Sequence, residues 1–138
     1  MKTLSLSIYI FCLVGFSACS SSSPDQLILG KWKFDHMELN APDGQKDLKT
    51  NLAISLAEMQ FSNVTMEYFK DGTYESSVNV TGGGNAHGKY WLESDDKYIC
   101  TKQDNSDKEK RSQIVRISSD TLVIGDDEGS IVMVRVEQ

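Results

Sequence analysis

The side chains best suited to metal or covalent chemistry are few: His36, His87 and Cys100. A metal site takes three or four converging ligands. Two histidines far apart in the chain do not supply them. His36 has Asp35 and Glu38 for company and reads as a solvated strand histidine. His87 follows a glycine-rich loop and reads as a rim residue, with a ligand contact as the lesser alternative. Cys100 has no histidine or other base near it in sequence, so it reads as a small buried hydrophobe rather than a nucleophile. Asp126-Asp127-Glu128-Gly129 has the composition of a calcium-loop fragment. It lacks the alternating oxygen ligands and terminal bidentate Glu of such a loop, and reads as a solvated acidic turn. Gly82-Gly83-Gly84 is followed by neither Lys-Ser/Thr nor a helix, so it is not a phosphate cradle. Asp95-Asp96 lies in a turn with nothing apolar beside it to raise a carboxyl pKa. No Ser-His-Asp order or nucleophile elbow is found. The expectation is a non-enzymatic protein with no metal and no cofactor.

The remaining candidates are aromatic. Tyr68, Tyr74, Tyr90, Trp91 and Tyr98 are the residues expected to line any space for an apolar ligand. The alternative is that they fill a dry core, since large rings are the bulk of many cores. The elements that would position them read as strands. Trp32, Phe34 and His36 alternate with Lys31, Lys33 and Asp35, the period of a half-buried strand. Asn40 to Gly44 is a break. From about Asp47 to Gln60, Leu48, Leu52, Leu56 and Met59 recur at helical spacing, with Asp47 as a candidate cap and Ile54 off the stripe. Strands then follow over residues 63–69, with Val64, Met66 and Tyr68 on one face, and over 73–80, with Tyr74, Val78 and Val80 on one face. Further strands cover 86–93, 97–102, 109–117, 121–124 and 130–136. Asp71-Gly72 reads as a two-residue primed turn and Thr81 to Asn85 as a mobile loop. Eight strands in meander order with one helix between the first two predict a small, mostly β, antiparallel barrel or sandwich, and closing the meander into a barrel would remove exposed sheet edges.

The chain has 138 residues, enough for one domain. Its first part is not expected to belong to that domain. Met1-Lys2 precedes an apolar run from Leu4 to Phe16, shorter than a membrane span. Phe16-Ser17-Ala18-Cys19 resembles the bacterial lipobox, although Phe16 stands where Leu is usual. That resemblance implies a signal peptide over residues 1–18 and acylation of Cys19, which would anchor the protein to a lipid bilayer. An ordinary secretory signal cleaved near Ala18 is the alternative. Several acyl chains make a durable anchor where one does not. Residues 19–26 would then form a Ser-rich tether, with residues 27–138 as the barrel domain. Ser after the Cys, by resemblance to sorted lipoproteins, implies an outer-membrane destination, and the lack of an acidic cluster right after Cys19, of the kind some surface-exported lipoproteins carry, favours the periplasmic side. Of the three cysteines, Cys12 falls in the signal and Cys19 at the lipidation position. Cys100 is thus left without an internal disulfide partner. Without residues 1–18 the chain carries 13 basic and 20 acidic side chains, a net charge of −7. It lacks the basic stripe that phosphate neutralisation demands, so nucleic acid is not an expected partner.

The order of motifs resembles the lipocalin-like domains of small bacterial (Bacteroidetes-type) lipoproteins. Gly30-Lys31-Trp32 stands on the first strand, Phe69-Lys70-Asp71-Gly72-Thr73-Tyr74 in a central hairpin, and Gly88-Lys89-Tyr90-Trp91-Leu92 on a middle strand. Asp120-Thr121-Leu122 and an apolar last strand complete the set. The resemblance implies that Trp32 plugs the closed end of the barrel beneath a basic residue of a late strand, with Arg135 the first candidate and Arg116 the second. The last strand is apolar on both faces, so its inward face stays open between Ile131, Met133, Arg135 and Val132, Val134, Val136. The helix falls where fatty-acid-binding barrels carry a lid.

Two functions are compatible with these residues. One is a tethered carrier that takes a small apolar or amphipathic ligand at the open end, with the helix as lid. The other is a filled barrel that presents its rim to another envelope protein, with an inhibitor or immunity-type role as a minor variant.

Overall fold

The computed structural model describes residues 22–39, 48–77, 84–125 and 129–137. The signal segment, Cys19, the break at 40–47 with Asp47, the 78–83 stretch with Val78 and Val80, and the acids Asp126 to Glu128 lie outside these residues. In chain order the elements are α1 (Pro24–Leu27), β1 (Gly30–Leu39), α2 (Leu48–Phe61), β2 (Thr65–Tyr68), β3 (Thr73–Ser76), β4 (Ala86–Glu93), β5 (Tyr98–Gln103), β6 (Glu109–Ile117), β7 (Thr121–Gly125) and β8 (Gly129–Arg135). The eight described strands pair with their sequence neighbours, and β8 returns to β1, so the sheet is a closed antiparallel barrel. The meander sorts the connections. The start of β1 and the β2–β3, β4–β5 and β6–β7 turns gather at one end, and the last residues of β1, β3, β5 and β7 at the opposite end.

α1 occupies part of the stretch read as tether. Pro24 stands in its first turn with φ already suited to a helix, and the Ile28 amide donates to the Pro24 carbonyl. The polar segment therefore ends by Ser23. Ile28, fully buried, starts the packed part of the chain.

β1 departs from simple alternation. Trp32 lies opposite Arg135 and Phe34 opposite Met133, but His36 lies opposite Val132, with a register shift between. This bulge adds one residue and reverses which side chains face inward. His36 is thus separated from the face of Trp32 and Phe34, and Met37 and Leu39 take up the inward row beside Ile131 and Gly129. The inward face of β8 is Ile131, Met133 and Arg135, since Met133 joins the central cluster of Ile28, Trp32, Tyr68, Tyr74, Ile99 and Leu122. Val132 and its partner Val123 are also buried, so both faces of this strand are apolar for a packing reason.

The β2–β3 turn also differs from the two-residue reading. Gly72 has φ +83 while Asp71 keeps an ordinary negative φ, so the turn runs through Lys70-Asp71 and ends in a glycine bulge. The Asp71 carboxylate accepts from the Thr73 amide at 3.0 Å and hydroxyl at 2.6 Å.

β2 is short and pairs with β1 only from Gly30 to Lys33. Past one further bond from the Phe34 amide, β1 is paired on the β8 side alone, and α2 lies against the free edge. The Met37 amide donates to the Glu58 carboxylate at 3.1 Å, the Phe34 amide to the Val64 carbonyl at 2.9 Å, and the Phe61 ring sits 6.0 Å from that of Phe34. An unpaired edge amide next to apolar side chains is costly, and Glu58 meets that demand. These contacts fix the roll of α2, and its expected packing face is corrected. Leu48, Leu52, Leu56 and Met59 are 85, 59, 53 and 73% exposed, while Ile54, Ala57, Glu58 and Phe61 are half-buried. The stripe does not lie over the barrel as a closed lid.

This orientation predicts that Leu56→Lys changes unfolding free energy by less than about 0.5 kcal/mol, as for an ordinary surface site. Phe61→Ala is expected to cost more than about 1 kcal/mol through lost ring packing. Urea denaturation of both variants checks the pair, and the reverse ranking would mean the stripe is the packed face.

Candidate functional site

The closed end is built around three residues. Gly30 has φ +104, a conformation that side-chain-bearing residues rarely adopt, and a Cβ placed there would lie 2.8 Å from Arg135 Nη1. The absence of a side chain lets the guanidinium of Arg135 come down over Trp32, 4.2 Å from the ring centroid. Its Nη1 donates to the Leu29 carbonyl at 2.7 Å, Nη2 to the Leu27 carbonyl at 2.6 Å, and Nε to the Ser119 carbonyl. Beneath it, Trp32 is fully buried and its Nε1 donates to the Ile28 carbonyl at 2.8 Å. Arg116 stands opposite Val123 on β6, away from this cluster. The arrangement closes this end of the barrel with packed side chains.

The five aromatic candidates divide. Tyr68, Tyr74 and Tyr90 face inward and pack on one another, with centroid separations of 6.3 Å for Tyr68–Tyr74 and 4.9 Å for Tyr68–Tyr90. Burial pushes all three phenols above their ordinary pKa, with Tyr74 raised further by Asp104 and Tyr90 by Asp71 and Asp25. The Tyr90 hydroxyl donates to the Phe69 carbonyl at 2.9 Å. These rings are the packed middle of the barrel. Trp91 and Tyr98 are on the outer face, which corrects the expectation that they line the interior. Pleating sets Trp91 opposite Cys100, and Glu93 opposite Tyr98, while their neighbours Leu92 and Ile99 turn inward. Trp91 Nε1 donates to Glu93 at 2.9 Å, and the Arg111 guanidinium covers the Tyr98 ring at 3.5 Å. Hydrogen bonds from Trp91, Cys100 and Arg111 hold the Glu93 carboxyl below its ordinary pKa. Burial, then Glu93, pushes the Cys100 thiol up, so it stays protonated and packs as an apolar group.

The open end holds a cleft of about 280 Å³. Met37 and Leu39 of β1, Ile124 of β7 and Ile131 of β8 form its apolar wall, with Ser112 and Lys110 of β6 opposite. Ile124 and Ile131 also pack on the central cluster, so the cleft opens directly above the core. None of these six residues was among the expected ligand contacts. Met37 and Leu39 were hidden by the bulge, and Ile124 and Ile131 sit in strands whose two faces are equally apolar.

The histidines lie on the surface. His36 Nδ1 is 2.7 Å from Asp35 and its Nε2 3.5 Å from Glu38. His87 is 3.4 Å from Glu75. Among the described residues no three His, Cys, Asp or Glu side chains converge as a metal site would need, and no helix is long and apolar enough to cross a membrane.

Gly30→Ala should destabilise the barrel by about 1–3 kcal/mol, the range for a side chain forced into such a conformation. Trp32→Ala should cost about 3–5 kcal/mol, as for other buried aromatics. Chemical denaturation measures both. Hydrogen bonding to Asp35 raises the His36 pKa, with Glu38 adding to it and burial opposing it. A raised folded-state value means that this contribution to stability is complete below the ordinary imidazole pKa and vanishes as pH rises through the folded value. Asp35→Asn is therefore expected to lower the His36 midpoint in an NMR titration, and an unchanged midpoint would contradict the assignment.

The comparisons with known proteins accord with this geometry. The family model described as a lipocalin-like domain matches residues 28–124. No curated protein matches the chain. The fold is similar to a crystal structure of a DUF4847 family protein from Bacteroides vulgatus, with TM-score 0.57 and 12% identity over 81% of this chain and 96% of that one. It is similar as well to a lipocalin-like protein from Bacteroides uniformis, with TM-score 0.52 and 12% identity over 79% of this chain and 98% of that one. An uncharacterized protein from Bacteroides eggerthii gives TM-score 0.53 and 11% identity over 79% and 99%. At these identities the solved structures speak for the fold alone, and the family match, covering most of the chain from Ile28 through β7, gives the assignment: this chain belongs to the lipocalin-like domain family.

Proposed function

We propose that this protein is a non-enzymatic carrier that holds a small apolar or amphipathic molecule in the open-end cleft. The supporting observation is the contrast between the two ends. The Trp32–Arg135 end is closed by side chains, while the other end has a cleft walled by Met37, Leu39, Ile124 and Ile131. A concave, mostly apolar space with a few polar groups is the usual form of a small-molecule site. The lipocalin-like family assignment favours the same reading at the level of fold. The sequence motif at Phe16 to Cys19 supports a lipid-anchored protein of the bacterial envelope, acylated at Cys19 and held at the outer membrane facing the periplasm. One observation favours a second reading. The exposed stripe of Leu48, Leu52, Leu56 and Met59 suits a module that binds another envelope protein.

The carrier reading is tested with protein expressed from Ser20 onward and the neutral fluorophore N-phenyl-1-naphthylamine. Saturable binding is expected, with Ser112→Trp, which fills the cleft, reducing it at least about tenfold. Absence of saturable binding, or a Ser112→Trp variant that binds normally, would refute it. For the anchor, full-length protein should incorporate labelled palmitate and fractionate with membranes, and Cys19→Ala should lose both.

A further inference from the structure

The inward-facing rows of the barrel hold two cations among the described residues, one near each end. Arg135 is committed at the closed end, where its donors meet three backbone carbonyls and its plane covers Trp32. Lys110 is different. It lies opposite Thr101, which lies opposite Tyr90, so Lys110 belongs to the same inward row as a core tyrosine. It reaches the open-end cleft, where it faces the apolar wall of Met37, Leu39, Ile124 and Ile131. Its ammonium has no ion pair with any described residue. Each of its neighbours in charge is already engaged: Glu109 stands 3.9 Å from Lys102, and Arg111 is held by Glu93 at 3.2 Å over the Tyr98 ring.

Lys110 is exposed at the rim of the cleft, so its ammonium stays hydrated, costs the core nothing and is free to meet an incoming group. It suits a ligand with an anionic group at one end and an apolar body at the other. We infer that the open-end cleft selects small anionic amphiphiles, with Lys110 pairing with the anionic group while Met37, Leu39, Ile124 and Ile131 hold the apolar part. This rests on the carrier reading and specifies its ligand class. The volume limits ligand size. A cleft of about 280 Å³ is at the lower end of the usual size of small-molecule sites. That excludes a two-chain membrane lipid as a fully enclosed ligand and fits a compact, single-bodied one. Opposing charge is close in sequence: Asp126, Asp127 and Glu128 fall between Gly125 and Gly129, which both line the cleft. Lys110→Gln separates its contribution from theirs.

The test compares two fluorophores with the same anilinonaphthalene body, neutral N-phenyl-1-naphthylamine and anionic 8-anilinonaphthalene-1-sulfonate. The sulfonate is expected to bind more tightly at low salt and to lose that advantage at about 1 M salt, where charges are screened beyond about 3 Å. Lys110→Gln should weaken the sulfonate at least about threefold, the scale of a partly exposed ion pair. It should weaken the sulfonate more than the neutral probe, and Lys110→Arg should restore the preference. Octanoate should displace bound probe at lower concentration than 1-octanol, and octylammonium should be the weakest competitor. Equal binding of the two fluorophores, or an equal effect of Lys110→Gln on both, overturns the anion assignment while the carrier reading stands. Preference for octylammonium would assign the mouth to cations and overturn it also. Failure of both fluorophores to bind would remove the carrier reading itself.

Discussion

The barrel depends on the contact between its first and last strands at the closed end. Arg135 from the end of the chain covers Trp32 from the beginning, and its guanidinium collects the carbonyls of Leu27, Leu29 and Ser119. Such a cation–π contact contributes about 0.5–2 kcal/mol by itself. Its larger role is geometric. It ties the segment before β1, the β6–β7 turn and β8 to one another, so the sheet closes on itself and no edge is left at that end. Gly30 makes the contact possible, because a side chain there would occupy the position of Arg135 Nη1. The Gly-Lys-Trp step is therefore a structural unit, with glycine making room, tryptophan filling the base and arginine sealing it.

Closure at one end shifts the irregularities to the other. β1 is long and β2 short, so the upper part of β1 lacks a partner on one side. The bulge near Asp35 and the docking of α2 through Glu58 and Phe61 are joint solutions to that mismatch. The bulge turns Met37 and Leu39 into the mouth, and α2 satisfies the edge that the bulge exposes. The cleft lies among the open-end residues of β1, β6, β7 and β8, and it stands above a tyrosine layer that is already packed.

Much of the architecture was legible in the residues. Alternating apolar positions, glycine and aspartate turns, and one stretch of helical spacing place the strands and the helix, because each depends on near neighbours in sequence. The candidate site was read less well. Trp91 was expected inside because it is aromatic and adjacent to Tyr90, yet adjacent strand residues face opposite ways. Only the register with Ile99 and Cys100 decides which of the two is buried. Tyr98 follows Trp91 to the outer face for the same reason. α2 presented two apolar sides, Leu48-Leu52-Leu56-Met59 and Ile54-Ala57-Phe61. The larger stripe was the natural expectation for the packed face. The barrel chose the smaller, because Glu58 and Phe61 were the groups its open edge needed.

The sequence by itself determined the strand order, the closed-end motif at Gly30 to Trp32, and the acidic net charge. These follow from local periodicity, short motifs and composition, which need no distant partner. The tertiary structure decided which end is sealed and which has a cleft, which face of β8 and of α2 turns inward, and that Lys110 shares a mouth with Met37, Leu39, Ile124 and Ile131. Those facts depend on barrel closure, a one-residue bulge and cross-strand register. Each is set by contacts between residues far apart in the chain, so no window of sequence contains them.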